Sequence, residues 1–127
     1  MPERRSALIA LGRSSIKIHL ALDPCDMRKS FNGLYDIACQ HVDDNRLWRE
    51  AIFVFTNKRR NRIKLLYFDG TGLWVAAKRL EKGTFSWPKP SEPGQKRLKL
   101  APEALQMVLD GVDLRGATLK PWYERAE

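Results

Sequence analysis

Five cations stand within seven residues of this chain: Lys58, Arg59, Arg60, Arg62 and Lys64. A cluster this dense repels itself unless solvent or anions screen it. Phosphate oxygens provide that screening, and their neutralisation releases condensed counterions. Arginine adds a planar fork that fits a phosphate or the edge of a guanine. The chemistry on offer is therefore ionic recognition of a polyanion. A tight turn between two strands would hold these side chains away from the core, as the tip of a β-ribbon that fits a DNA groove.

Three further basic groups support this reading. Lys78, Arg79 and Lys82 end a later strand, and Lys96, Arg97 and Lys99 follow a proline-rich stretch. Arg28 and Lys29 stand at the start of a helical pattern, where free backbone N–H groups add to the positive field; they are secondary candidates. The aromatic residues Tyr67, Phe68, Trp74, Phe85 and Trp87 are interleaved with the basic groups. Stacking on bases needs them exposed, whereas aromatic residues in strands usually belong to the core.

Covalent chemistry has little to stand on. His19 and His41 share no metal-ligand spacing with Cys25 or Cys39. Asp23, Asp26 and Asp69 would be the carboxylates of a two-metal site, but turn chemistry explains Asp69, and Pro24 with helix capping explains the other two. Asp69-Gly70-Thr71-Gly72 lacks the glycine spacing and Lys-Ser/Thr ending of a phosphate-binding loop. No Gly-x-Ser-x-Gly nucleophile motif occurs. The expectation is a protein without catalytic residues, metal or cofactor.

The positioning elements can be read from periodicity. Residues Ile16 to Leu22 begin with strand alternation and end at Asp23-Pro24. From Arg28 to Val42 an amphipathic helix is predicted, with Phe31, Leu34, Tyr35, Ala38 and Val42 as its apolar stripe, Asp26 as its cap, and Gly33 as an interior glycine suited to close packing. Asp43-Asp44-Asn45 is a loop. Ala51–Thr56, Ile63–Phe68 and Leu73–Leu80 read as strands, joined by the basic turn and by Asp69-Gly70-Thr71-Gly72. Thr84–Trp87 is expected as a short fourth strand and Lys96–Leu100 as another. A second helix runs from Pro102 to Val112, with Pro102 in its first position and Leu105, Val108, Leu109 and Val112 on its buried face. The predicted fold is α+β: a twisted antiparallel sheet, a meander of four to six strands, with two helices packed on one face.

Composition agrees with a single globular domain. The chain has 127 residues, 43% hydrophobic and 30% charged, with a formal net charge of +8. The excess is local: residues 51–100 hold 12 Lys/Arg against 3 Asp/Glu, whereas residues 1–50 (8 against 7) and 101–127 (3 against 5) nearly cancel. Such a segment favours an anionic partner. Two cysteines make no disulfide framework and suit a reducing cytoplasm. Arg4-Arg5 precedes an apolar run of only five residues, too short for an export signal, and no run is long enough to span a membrane. Residues 1–15 are expected as a flexible arm, 16–116 as the domain and 117–127 as a tail.

Several blocks resemble one family. They are Asp26-Met27-Arg28-Lys29-Ser30-Phe31-Asn32-Gly33-Leu34, the run from Ile52 to Leu73, the run from Lys78 to Pro88, and Leu109-Asp110-Gly111-Val112-Asp113. In order and spacing they are similar to the Orf2-like (TnpB) accessory proteins of the sixty-sixth insertion-sequence family, over about residues 16 to 116. Ser30 stands where glycine is common in that family, and Asn32 where aspartate is common. The resemblance implies a bacterial, cytoplasmic, nucleoid-associated accessory of DNA transposition, encoded beside a separate transposase that carries the catalytic residues. It implies no agreed list of contact residues. DNA at the element ends and the transposase are the expected partners; an adaptor that docks on the transposase without touching DNA is the rival expectation.

Overall fold

The computed structural model describes residues 16–41, 51–111 and 123–124. Within them run β1 (Lys17–Ala21), α1 (Phe31–His41), β2 (Ala51–Thr56), β3 (Arg62–Phe68), β4 (Leu73–Arg79), β5 (Arg97–Leu100), α2 (Pro102–Leu109) and β6 (Tyr123–Glu124). The arm, the Asp43-Asp44-Asn45 loop, Val42, Val112 and the rest of the tail lie outside the described residues.

The six strands form one sheet in the order β4-β3-β2-β1-β5-β6. The α+β class is as read from the sequence, and β2, β3 and β4 form the expected antiparallel meander. The sheet is mixed, however, because β1 and β2 run parallel, with Ile18 opposite Ile52 and Leu20 opposite Val54. The reason is the long connection between them, which carries α1; parallel neighbours need such a crossover, whereas a hairpin does not. β5 then closes antiparallel on the free side of β1.

A second correction concerns the helices. They do not share a face of the sheet. All six residues of β2 are buried. Its side chains alternate, so both of its faces must be covered. On one face Phe53, Phe55, Leu66 and Ala21 pack with Leu34 and Ala38 of α1. On the other, Ile52, Val54, Ile18, Leu20 and Ile63 pack with Ala104, Leu105 and Val108 of α2.

The first helix begins three residues later than its pattern suggests. Asp26 does not cap the helix itself. Its carboxylate accepts from the Arg28 amide at 2.9 Å, and its carbonyl accepts from the Lys29 amide at 3.1 Å, which makes a separate turn. Ser30 follows, its carbonyl receiving the Leu34 amide. Gly33 allows the close approach its position suggested: a Cβ there would lie 3.0 Å from Cβ and Cγ of Lys29. Thr84–Trp87 is not a strand. Instead it crosses the strand ends, burying Phe85 and Trp87 in the α2-side core, with the Trp87 indole donating to the Ala21 carbonyl at 3.0 Å.

The β3–β4 turn is tied by Asp69. Its Oδ1 accepts from the Thr71 amide and hydroxyl and from the Gly72 amide, and its Oδ2 from the Trp74 indole at 2.7 Å. The Trp74 bond, then those from Thr71 and Gly72, hold this carboxyl well below the ordinary carboxylate range. A depressed folded-state pKa adds stability above the unfolded value, and that stability is lost as pH falls through the folded one. Asp69→Ala is therefore expected to lower Tm at pH 7. The gap from the unsubstituted protein should narrow as melting is repeated below pH 4, and a gap that is constant with pH would contradict the ionic contribution.

Candidate nucleic-acid interface

The topology gathers basic segments that are far apart in sequence. β1, β2 and β4 end at the same margin of the sheet at which β3 and β5 begin. Residues 23–29, 57–62, 79–82 and 96–97 therefore meet at one end. Five strands at a spacing of about 4.8 Å make that end about 19 Å wide.

At its centre is the turn after β2. Asn57 organises it: Oδ1 accepts from the amides of Asn61 and Arg62, both at 3.1 Å, and Nδ2 donates to Asn61 Oδ1 at 2.7 Å. Thr56 Oγ1 donates to the Arg62 carbonyl at 2.9 Å and closes the base. The chain reverses through Arg60, whose φ of 58° is left-handed. From outside, the amides of Leu80 and Phe85 donate to the carbonyls of Asn61 and Arg60. The backbone bonds that shape the turn are thus made by the Asn57 and Thr56 side chains and a neighbouring segment, and none of them uses a cationic side chain. Lys58, Arg59 and Arg62 are exposed and Arg60 is half-buried. None of the four forms a salt bridge among the described residues.

The other candidates divide by what their charge touches. Lys64 points to the α1 side, and its Nζ donates to the carbonyls of Met27 (2.7 Å) and Lys29 (2.8 Å). Lys78 points to the opposite side and donates to the Leu109 carbonyl at 2.6 Å, a favourable place for a cation at the end of α2. Both ammonium groups are thus engaged by the protein itself. Arg79 approaches Glu81 only to 4.0 Å, with both side chains exposed, so that contact adds little. Lys82 and Lys29 are exposed. Arg28 is held in a two-pronged pair with Asp26, the shortest contact being 2.7 Å. That guanidinium lowers the Asp26 carboxyl to about 2, and Asp26 raises Arg28 in turn.

Two juxtapositions are invisible in the sequence. In the β3–β4 register Arg62 stands directly opposite Arg79. Like charges so placed repel, and a shared anion relieves them. Secondly, the 25–28 loop packs beside the basic turn, leaving a groove of about 440 Å³ lined by Arg28, Lys58, Arg59 and Arg62, with Asp26 as its carboxylate. Residues 30 positions apart give no local signal of such proximity. The third basic group contributes less: Lys96 pairs with Asp23 at 3.1 Å, and Nη1 of Arg97 is buried without a hydrogen-bond partner among the described residues. The aromatic residues offer no stacking platform here, because Tyr67, Phe85 and Trp87 are buried and Trp74 is tied to Asp69 at the far turn.

The split between structural and outward cations has a direct consequence. Lys64→Met removes charged donors from two carbonyls and should reduce the free energy of unfolding by about 1–2 kcal/mol. Lys58→Met, at an exposed position, should be nearly neutral. Urea denaturation of both variants checks the difference; equal effects would contradict it.

No helix among the described residues is long and apolar enough to cross a membrane, and no group of three or more metal-ligating side chains occurs among them. A family profile described as "IS66 Orf2 like protein" matches residues 16–118. Two relatives from Sinorhizobium fredii (strain NBRC 101917 / NGR234) are both described as uncharacterized. The protein y4jC is 32% identical over 106 residues, covering 84% of this chain and 87% of the relative. The protein y4hO is 30% identical over 101 residues, covering 80% and 84%. No solved structure matches. The chain belongs to the IS66 Orf2-like family, whose role is that of an accessory in insertion-sequence transposition.

Proposed function

We propose that this protein is a non-catalytic accessory factor that binds DNA of the mobile element through the basic end of its sheet, working in the bacterial cytoplasm at the nucleoid. Lys58, Arg59, Arg60 and Arg62 are the primary contacts; Arg79, Lys82 and Lys29 lie on the same margin. Lys64 and Lys78 shape this surface more than they touch the ligand. The observation that carries the reading is that the Asn57 side chain, braced by that of Asn61, holds the backbone of the basic turn, which leaves the cations outward and without carboxylate partners among the described residues. Burial of the nearby aromatic residues favours contact with the phosphate backbone over stacking on bases.

One observation favours the rival. Phe31 and Tyr35, one turn apart on α1, are 48% and 37% exposed. Such a pair suits a protein partner, and the transposase is the expected one. Capture of the transposase from nuclease-treated lysate, abolished by Phe31→Ser/Tyr35→Ser but not by turn substitutions, would support an adaptor role.

The DNA reading predicts that log K falls linearly with log salt concentration. Replacing Arg59, Arg60 and Arg62 together by alanine should flatten the slope by about 2–3. An unchanged affinity and slope in a gel-shift titration would remove this site. Arg60→Gly separates binding from stability. Glycine relieves the left-handed conformation, which disfavours a side chain by about 1 kcal/mol, so Tm should hold or rise while DNA affinity declines. A fall in both would make Arg60 a structural residue.

A further inference from the structure

Resting on the DNA reading, we propose that Arg28 is a reserve phosphate contact, held by Asp26 in the free protein and transferred to a phosphate when the groove beside the basic turn is filled. Three observations carry this. Asp26 is the one carboxylate among the described residues that line the groove, whose other charged lining residues are Arg28, Lys58, Arg59 and Arg62. Its two oxygens receive Nε and Nη2 of Arg28 at 2.7–3.1 Å, which is the two-pronged geometry that a phosphate would also offer. The Arg28 side chain is 91% exposed, so among the described residues only Asp26 restrains it, and solvent screens the pair.

The exchange is local and needs no refolding. The turn that carries both residues is anchored separately. The Arg28 amide donates to Asp26 Oδ1, the Lys29 amide donates to the Asp26 carbonyl, and Lys64 holds the carbonyls of Met27 and Lys29. A phosphate that enters between Lys58, Arg59 and Arg62 meets four cations in place of three if Arg28 swings toward it. It also meets one negative charge, and that repulsion weakens non-productive binding of small anions more than binding of a polyanion with several simultaneous contacts. Asp26 thereby acts as an internal stand-in for phosphate that sets a threshold on what the groove accepts.

The test is a double-mutant cycle in salt-dependent binding to a short DNA duplex. Asp26→Asn keeps an oxygen for the Arg28 amide and removes the charge. It should bind duplex more tightly at every salt concentration, because no ion pair has to be broken and the groove loses its negative charge, whereas Arg28→Ala alone should flatten the slope by about 0.9, the contact that is transferred in the unsubstituted complex. Arg28→Ala combined with Asp26→Asn should keep the flattened slope and gain less affinity from the Asp26 change than the protein that retains Arg28. Melting curves of each variant report on folding, and Asp26→Glu, which restores the charge, should return binding toward that of the unsubstituted protein. An unchanged slope in Arg28→Ala, or a gain from Asp26→Asn that is equally large without Arg28, would overturn the exchange while leaving the DNA reading intact. Absence of duplex binding by the unsubstituted protein would instead overturn the DNA reading itself.

Discussion

The architecture depends on one strand that must be hidden on both sides. Every residue of β2 is buried, and a strand alternates its side chains between faces. Neither helix alone can satisfy that demand. Burial of Phe53 and Phe55 requires α1, and burial of Ile52 and Val54 requires α2. The division of the helices, the central position of β2 and the crossover that makes β1 parallel to it follow from the same need. So does the location of the basic turn, which leaves the end of the most deeply buried strand and is therefore fixed on a rigid base.

That rigidity gives the charges their meaning. Cations on a mobile segment would spread out and be solvated. Here Asn57, Asn61 and Thr56 fix the turn, and the amides of Leu80 and Phe85 hold it from outside. Arg62 faces Arg79 across the β3–β4 pair. The repulsion is built into the register and cannot be relaxed by moving the backbone. An anion that fits the spacing lowers the energy of an arrangement that the fold already imposes, which is preorganisation in its electrostatic form.

Much of this was legible in the sequence. Alternation and turn chemistry marked β2, β3 and β4, because Asp69-Gly70 and the basic stretch interrupt apolar runs of strand length. The run Ala51–Thr56 is apolar at successive positions, a pattern that signals cover on both faces, although the expectation of a one-sided sheet missed it. Thr84–Trp87 resembled a strand because its aromatic residues are β-formers; among the described residues it joins no strand of the sheet, and with Phe85 bonded to the basic turn it runs to Pro88 as a buried crossing segment instead. At the site, residue types revealed the cations but not their neighbours. Which lysines bind carbonyls of a distant segment is decided by strand facing: Lys64 points to the side of α1, Lys78 to that of α2. The meeting of residues 25–28 with residues 57–62 is a tertiary fact with no counterpart in local pattern.

The central claim is that a polyanion seats on the strand-end margin beside the turn. Amide chemical-shift mapping during titration with a short DNA duplex tests it most directly, because every described segment reports at once. The account predicts the largest shifts at residues 57–62, with smaller ones at 26–29 and 79–82, and little change around Asp69. Shifts confined to the Phe31–Tyr35 surface of α1, or their absence at saturating duplex and low salt, would contradict it.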